Sequence, residues 1–298
     1  MSTFITCNIM GGLGNQLFQI FTTLAYGIRH KVSVIFPYAY QLDVKRHSYW
    51  NTFLLNLKQM TTVNGALHKY NEDLMVLPRY IERDFRYIPI PQTDQSFLLF
   101  GYFQSYKYFS NEENQIFQMI QLEQQQKQIR EEFPDYFLNT HLDCNVEGDP
   151  TILISMHFRL GDYLQLQDCH PVLPFEYYQK SLNYLLSFIP SNSKIKVLYF
   201  CEKQDNDIVS IQIDRMKQIY IQDKIEFIKV EDTILDWKQM LLMSLCNHNI
   251  IANSSFSWWG AYLNRRMDSL VCYPSIWFGP NYRDKNVCDL HPTHWRKI

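Results

Sequence analysis

The chain has 298 residues, of which 46% are hydrophobic and 15% aromatic, with a formal net charge of -2. Its length exceeds the roughly 100–200 residues of a typical domain, so two domains are expected, and the near-neutral charge without a polybasic stretch argues against nucleic acid as a partner. The sequence has neither a basic-then-apolar start nor an apolar run of roughly 18 residues, which predicts a cytoplasmic protein without a signal peptide or membrane span.

Alternating strands and helices are predicted in the first part of the chain. Apolar runs predict strands at 3–9, 32–36 and 97–100, and a helix with apolar residues at helical spacing begins at Asn15. A Gln-rich stretch keeps an apolar face and predicts one long amphipathic helix over 112–132. Such alternation indicates a parallel sheet covered by helices.

A polar segment separates two series of elements. Residues 139–150 are polar and include Gly148 and Pro150, which is typical of a linker. We therefore predict one domain over 1–145 and a second over 146–298.

The second part of the chain repeats the alternation of apolar runs and helical patterns. Strands are predicted at 152–157, 196–201, 225–230 and 249–252, and helices at 175–188, 205–220, 234–246 and 255–266.

The seven cysteines are scattered and contain no Cys-x-x-Cys pair. Neither a zinc site nor a disulfide framework is therefore expected. Cys7, Cys201 and Cys272 stand in predicted strands, where we expect small buried residues in a reducing compartment.

A glycine-rich turn joins the first strand to the first helix. Its candidate ligand-binding residues are Gly11, Gly12, Gly14, Asn15 and Gln16. Glycine permits positive φ and close backbone approach, so the turn can bring backbone amides against a phosphate or a sugar, although a purely structural turn explains the glycines equally well. The spacing matches neither the dinucleotide fingerprint nor a Walker A loop, which disfavours an oxidoreductase.

A histidine, an arginine and an aspartate follow the apolar run at 152–154. His157 and Arg159 are two residues apart, so their side chains share one side of an extended chain. The guanidinium of Arg159 offers a planar fork of donors suited to a phosphate. An ion pair between Arg159 and Asp162 at a strand end is the structural alternative.

Short polar side chains also follow the strand predicted at 249–252, at the start of a helix. The segment reads Asn253, Ser254, Ser255 and Phe256. A helix start of this kind can bind an anion through its free N–H groups and the positive end of its dipole. Ordinary capping of the helix is the alternative.

Four segments, in the same order, resemble the α-1,2-fucosyltransferases of glycosyltransferase family 11. They are residues 11–19, 101–109, 157–163 and 250–261. The resemblance spans nearly the whole chain, and four ordered motifs are more specific than any single one. It implies an α/β protein with a GT-B fold, in which two Rossmann-like domains face each other across a cleft. It further implies GDP-fucose as donor, an oligosaccharide or glycan acceptor, inversion at the anomeric carbon and no metal cofactor.

The same resemblance implies roles for the two domains and their residues. The N-terminal domain is expected to take the acceptor side while its loop from Gly11 to Gln16 lies against the donor, and the C-terminal domain is expected to bind GDP-fucose. Arg159 is expected to bind the donor diphosphate, and the expected acceptor hydroxyl is O-2 of a galactoside. Transfer also requires a place for the acceptor proton, for which Asp162 and His157 are candidates. A route without a dedicated base stays open.

Two positions depart from the family pattern. Leu160 stands where a second arginine is usual, which removes a charge from the motif. Gln239 stands where the family has an aspartate expected to face the guanine, and Asp236 lies one helical turn earlier on the same face. We predict that Asp236 or Gln239 reads the guanine, with Glu202 as the alternative.

Parts of the sequence also fit other functions. Asp205 and Asp207 spell the Asp-x-Asp of metal-dependent transferases, but acidic residues also suit the start of a helix. A transferase for another nucleotide sugar or linkage, and a non-catalytic glycan-binding module, are the remaining alternatives.

Overall fold

The computed structural model describes residues 3–44, 46–142, 150–222 and 225–298. The chain divides into two compact units. The N-terminal unit comprises Met1–Gln124 and Lys285–Thr293, and the C-terminal unit comprises Gln125–Asp284 and His294–Ile298. The boundary predicted between residues 145 and 146 lies outside the described residues.

The N-terminal unit is built on a parallel sheet of four strands in the order β2-β1-β4-β3. Its elements in chain order are β1 (Phe4–Cys7), α1 (Leu13–His30), β2 (Ser33–Val34), α2 (Asn71–Met75), β3 (Arg79–Ile81), β4 (Phe97–Phe100) and α3 (Glu113–Met119). Helix α4 (Leu122–Glu132) continues across the division between the units.

Helix α1 is the main helix of this unit. It follows β1 directly, and nearly all of its first fifteen residues are buried. The apolar residues that predicted it, among them Leu17, Phe18 and Phe21, are each completely buried. This prediction is confirmed, because the apolar stripe packs on the sheet as its spacing requires.

The single helix predicted over 112–132 is wrong. The chain forms α3 and α4 with a break at Gln121, whose φ is 55°. Ile120 and Leu122 are both buried, yet residues two apart cannot share one face of a continuous helix. The left-handed residue between them turns the chain so that both side chains reach the core.

The C-terminal unit contains a parallel sheet of six strands in the order β10-β9-β8-β5-β6-β7. Its elements are β5 (Ile152–His157), α5 (Phe175–Leu186), β6 (Ile195–Phe200), α6 (Asn206–Ile219), β7 (Ile225–Lys229), α7 (Asp236–Ser244), β8 (His248–Ile250), α8 (Ser255–Tyr262), β9 (Val271–Tyr273) and β10 (Arg296–Lys297).

This strand order is that of a doubly wound α/β sheet. The chain begins at the central strand β5, builds outward through β6 and β7, and then returns to build β8, β9 and β10 on the other side. In such sheets ligands bind beyond the carboxyl ends of the strands, at the point where the winding reverses. That point here lies between β5 and β8.

Most predicted elements of this unit are confirmed, with ends that differ by a few residues. The helix predicted to reach residue 266 ends at Tyr262. The strand expected around Cys272 is β9, whereas the short strand β10 was not predicted. Trp258 and Trp259 are completely buried in α8. Cys7, Cys201 and Cys272 are also buried, as expected of small core residues. Among the described residues, none of the helices has the length and apolar character needed to cross a membrane.

Candidate functional site

The loops after β5 and β8 meet at the point where the winding of the C-terminal sheet reverses. The hydroxyl of Tyr163 donates to the backbone oxygen of Asn253 at 3.2 Å. The rings of His157 and Phe256 lie 5.5 Å apart between centroids. The structure thus brings together the 157–163 motif and the 253–256 segment, which the sequence separates by about ninety residues.

Arg159 is the cation at this point of the sheet. Its Nη2 donates to Oδ1 of Asp162 at 2.5 Å, and its Nη1 forms an ion pair with Oε1 of Glu202. Burial alone would lower the pKa of the guanidinium, but the charge of Glu202, together with Tyr163 and Asp162, raises it. Arg159 is therefore a cation under all ordinary conditions, and its side chain is 19% exposed.

Gly161 ties the loop after β5 to the loop after β6. It adopts a φ of +41°, and a Cβ here would lie 3.0 Å from Oε2 of Glu202. Its N–H donates to Oδ2 of Asp205 at 2.9 Å. Asp205 is buried and Asp207 lies in the first turn of α6. Asp205 therefore holds the loop that carries Arg159, a contact that the sequence did not predict, whereas Asp207 has the helix-start position given above as the structural alternative.

Over 3–44, 46–142, 150–222 and 225–298, no three His, Cys, Asp or Glu residues are grouped so that they could hold a metal ion.

His157 is 6% exposed at the end of β5. Burial, with a smaller effect of the Arg159 charge, lowers the pKa of its imidazole to about 3. The ring is therefore neutral at neutral pH and a weak proton acceptor. Among the described residues, its Nδ1 and the Oδ1 of Asn253 are buried without a hydrogen-bond partner. Two polar atoms thus remain unsatisfied beside the reversal point, where a ligand could bond them.

The helix α8 begins with an ordinary N-cap, which is the alternative to anion binding given above for this segment. Ser254 is the N-cap, and its side chain accepts from the N–H of Phe256 at 3.3 Å. The amide of Asn253 donates to the backbone oxygen of Pro171 at 2.9 Å. Ser255 is half-buried in the first turn of the helix. Capping uses one N–H of the first turn, and a helix start has several such groups.

The side chain of Leu160 packs in the hydrophobic core. It is 3% exposed and belongs to the hydrophobic core of the unit. Its side chain therefore adds to the packing beneath the loop, and Arg159 is the cation that this motif contributes.

Asp236 and Gln239 lie at the start of α7, which follows β7. The exposed carboxylate of Asp236 accepts from the N–H of Trp237 at 2.7 Å. The Nε2 of Gln239 donates to the backbone oxygen of Ile234 at 2.8 Å. They follow β7, which β6 separates from β5 in the sheet, and these two hydrogen bonds stay within residues 234–239 rather than reaching Arg159. Glu202, in contrast, lies directly against it.

The glycine-rich loop lies at the carboxyl end of β1 in the N-terminal unit. Gly11 has a φ of +82°, and a Cβ here would lie 2.6 Å from Nδ2 of Asn15. Gly12 is the N-cap of α1, and Gly14 is buried in its first turn. The Nε2 of Gln16 donates to the backbone oxygen of Gly11 at 3.0 Å, which fixes the turn.

The 101–109 segment joins this loop. The Nε2 of Gln104 donates to Oδ1 of Asn15 at 2.8 Å. Gln104 follows β4, the strand next to β1, and the 101–104 backbone is held by the carboxylate of Glu82, which accepts from the N–H of Tyr102 at 2.7 Å. The contacts of Gln104 and Glu82 were not predicted from the sequence. Gln104 stands in the 101–109 segment that carries the family resemblance, whereas Glu82 follows β3, a largely exposed strand that the sequence pattern did not predict.

Comparison with known proteins identifies a family and two relatives of this chain. The profile of Glycosyl transferase family 11 matches residues 3–276. An Escherichia coli protein named O-antigen biosynthesis glycosyltransferase WbnK is 26% identical over 94% of this chain and 97% of its own length. An Escherichia coli alpha-1,2-colitosyltransferase is 26% identical over 99% of both chains.

Among solved structures, the chain is similar to the fucosyltransferase NodZ from Bradyrhizobium. The TM-score is 0.47 at 10% sequence identity, with 88% of this chain and 92% of the other covered. This distant likeness has no bearing on the substrate. The family match, which covers most of the chain, is the decisive finding. Two parallel-sheet α/β units of the GT-B class and a family profile that runs through both of them place this chain in glycosyltransferase family 11, and it is a glycosyltransferase.

Proposed function

We propose that the protein transfers L-fucose from GDP-fucose to a hydroxyl of a glycan acceptor, with O-2 of a galactoside as the acceptor position and inversion at the anomeric carbon. The observation that carries this proposal is the position of Arg159. It is a partly exposed cation at the carboxyl end of the central strand, beside the reversal point of a doubly wound sheet. Family 11 membership supplies the reaction class.

The guanidinium would stabilise the leaving group. As the bond between the sugar and the phosphate breaks, negative charge grows on the β-phosphate, and donors already aimed at it lower the barrier most. Arg159 now donates to the carboxylates of Asp162 and Glu202. A diphosphate carries more charge than either carboxylate and can accept two donors of the fork at once. The first-turn amides of α8 would add weaker donors.

Asp162 is the better candidate for the general base. Its side chain is 52% exposed and remains within reach of Arg159. Its carboxylate would take the proton of the acceptor hydroxyl as that oxygen bonds to the anomeric carbon. His157 is less suited, because an imidazole with a pKa of about 3 takes up a proton poorly near neutral pH. A neutral His157 can instead hydrogen-bond the donor.

One of the similar proteins suggests a second candidate for the donor sugar. The alpha-1,2-colitosyltransferase is similar to this chain over nearly its whole length. We therefore keep nucleotide-activated colitose as the competing donor with the same linkage.

A donor panel tests the proposal. Purified protein is incubated with GDP-fucose, GDP-colitose, GDP-mannose and UDP-galactose, each with lactose and other galactosides, and products are identified by mass and by NMR linkage analysis. We expect fucose on O-2 of galactose. Faster transfer of colitose would reassign the donor, transfer to another hydroxyl would reassign the linkage, and glycan binding without transfer from any donor would indicate a binding module.

A further inference from the structure

Three side chains form a column that ends at Arg159. The guanidinium carbon lies 5.0 Å from the centre of the Tyr163 ring. The ring of His170 stacks on Tyr163 with centroids 4.8 Å apart and planes inclined by 20°. The phenol ring is thus in contact with the guanidinium and with the imidazole.

The far end of the column is backed by two further rings. His170 lies 5.6 Å from Phe278 and 5.7 Å from Tyr282, and these two rings are 5.6 Å apart in an edge contact. The segment 278–282 is itself tied down, since the N–H of Gly279 donates to the backbone oxygen of Cys169 at 2.9 Å. His170 is therefore confined between a stacked ring and an anchored aromatic pair.

A hydrogen bond from the hydroxyl of Tyr163 also restrains the ring at the middle of the column. The hydroxyl donates to the backbone oxygen of Asn253, in the loop after β8. Burial lowers the pKa of His170 below its ordinary value of 6.5, which favours the neutral imidazole beside Arg159 at pH 7. The column consequently has one cation, at the end that faces Asp162 and Glu202.

We propose that Tyr163 and His170 are positioning residues for the Arg159 guanidinium, and this inference rests on the proposed binding of a diphosphate by Arg159. The donors of a guanidinium lie in its plane, so the direction of the fork depends on the orientation of that plane. An arginine side chain has many rotamers, and stacking on a fixed ring selects among them. The column would aim the fork before the nucleotide arrives and so reduce the ordering that binding requires.

Matched variants separate positioning from general stability. His170→Ala removes the ring behind Tyr163, whereas His170→Phe keeps an aromatic ring that can stack. Phe188→Ala is the control, because Phe188 is 60% exposed and makes an edge contact with Tyr184 in the same unit. GDP affinity is measured by titration calorimetry, transfer kinetics from GDP-fucose give kcat and KM, and thermal unfolding monitors the fold.

We expect His170→Ala to weaken GDP binding on the order of tenfold, as the loss of a fixed cation–π geometry would. KM for the donor should rise more than kcat falls. His170→Phe should restore most of the affinity, and Phe188→Ala should match the wild type. In an Arg159→Ala background, His170→Ala should have no further effect on GDP binding, because the residue acts through Arg159.

A second measurement needs no nucleotide. NMR relaxation of the Arg159 Nε–Hε group in the free protein should show an ordered side chain in the wild type and in His170→Phe, and a mobile one in His170→Ala. If the wild type fails to bind GDP, the proposed function is wrong, and this relaxation measurement still decides the positioning role. Unchanged Arg159 order in a folded His170→Ala protein, or unchanged GDP affinity where Arg159→Ala has lost it, would overturn the positioning role.

Discussion

The carboxyl ends of the two parallel sheets present different side chains. In the N-terminal unit this edge presents the backbone of Gly11 and the amide pair of Asn15 and Gln104. In the C-terminal unit it presents Arg159 between the carboxylates of Asp162 and Glu202. Side-chain amides suit hydroxyl groups, whereas a guanidinium fixed at a strand end suits a diphosphate. The same architecture thus supports two kinds of recognition, and the side chains after each strand decide which.

Burial shifts the pKa values of titratable groups in opposite directions in the two units. In the N-terminal unit, burial raises the pKa of Glu82. In the C-terminal unit, burial lowers the pKa of His157 to about 3 and that of His248 to about 4. In both units burial shifts the pKa in the direction that favours the neutral form, which is upward for a carboxyl group and downward for an imidazole.

The largest expected effect is at Arg159. Arg159→Lys keeps the charge but loses the fork that can grip two phosphate oxygens. We expect the transfer rate to fall on the order of 10²–10³-fold, as for the loss of one preorganised donor. Steady-state kinetics with GDP-fucose measure the change, and circular dichroism monitors the fold. Ordinary activity in this variant would make Arg159 a structural partner of Asp162.

Acid should destabilise the C-terminal unit through His157. The imidazole has an ordinary pKa of 6.5 when unfolded and about 3 when folded. The unfolded chain therefore binds more protons between these values, and stability falls as the pH drops below about 6.5, by up to several kcal/mol. The contribution of Glu82 to the stability of the folded protein has the opposite pH dependence. Its raised carboxyl pKa stabilises the folded protein at low pH, and this stabilisation is lost as the pH rises through the pKa of the folded state.

Hydrogen exchange of β5 peptides between pH 7 and 4, corrected for the intrinsic pH dependence of exchange, measures this effect. His157→Gln should flatten the loss of protection in β5. The wild type and the variant would lose protection in parallel if His157 were charged in the folded protein.

Gly11→Ala should destabilise the N-terminal unit by about 1–3 kcal/mol, because an alanine must adopt the φ of +82° and its Cβ meets the side chain of Asn15. Gly65→Ala is the matched control, since a Cβ there has no atom within 4 Å. Urea unfolding followed in the N-terminal unit compares the two variants. Equal stability of both proteins would contradict the strained turn.

A smaller effect is expected at the start of α7. A carboxylate can accept two N–H donors of a guanine edge, whereas an amide accepts only with its oxygen. Asp236→Asn should therefore weaken GDP binding by several-fold, and more than Gln239→Ala does. Calorimetric titration of the two folded variants measures the difference. Wild-type affinity in both would assign the guanine to another segment, such as the one around Glu202.

The smallest expected effect is that of a chelator. Arg159 and backbone amides would neutralise the diphosphate, and the carboxylate of Asp205 is bonded to the N–H of Gly161. Transfer from GDP-fucose should therefore continue unchanged in EDTA. Loss of activity that manganese or magnesium restores would make Asp205 and Asp207 metal ligands.

The sequence predicted local features better than distant ones. Strand β5 has its predicted ends because an apolar run bounded by Pro150 and a polar loop determines a strand locally. The break at Gln121 was missed because it depends on which side chains the tertiary packing buries. The return of residues 285–293 to the N-terminal unit was missed for a similar reason.

The sequence predicted which residues form the candidate site better than it predicted which of them touch each other. Motif order identified Arg159 and the 253–256 segment, and their adjacency follows from the parallel order of β5 and β8. The pairing of Arg159 with Glu202 was not predicted, because it joins residues 43 positions apart whose side chains meet only when β5 and β6 are neighbours. The column through Tyr163 and His170 had no signal in spacing.

The central claim is that the charged edge of the C-terminal unit binds the diphosphate of the donor. Titration calorimetry of GDP and GMP into the wild type and Arg159→Ala tests it, since the two nucleotides differ only in the β-phosphate. We predict that the wild type prefers GDP and that this preference disappears in Arg159→Ala, while GMP affinity changes little. The same ratio of GDP to GMP affinity in both proteins would contradict the claim.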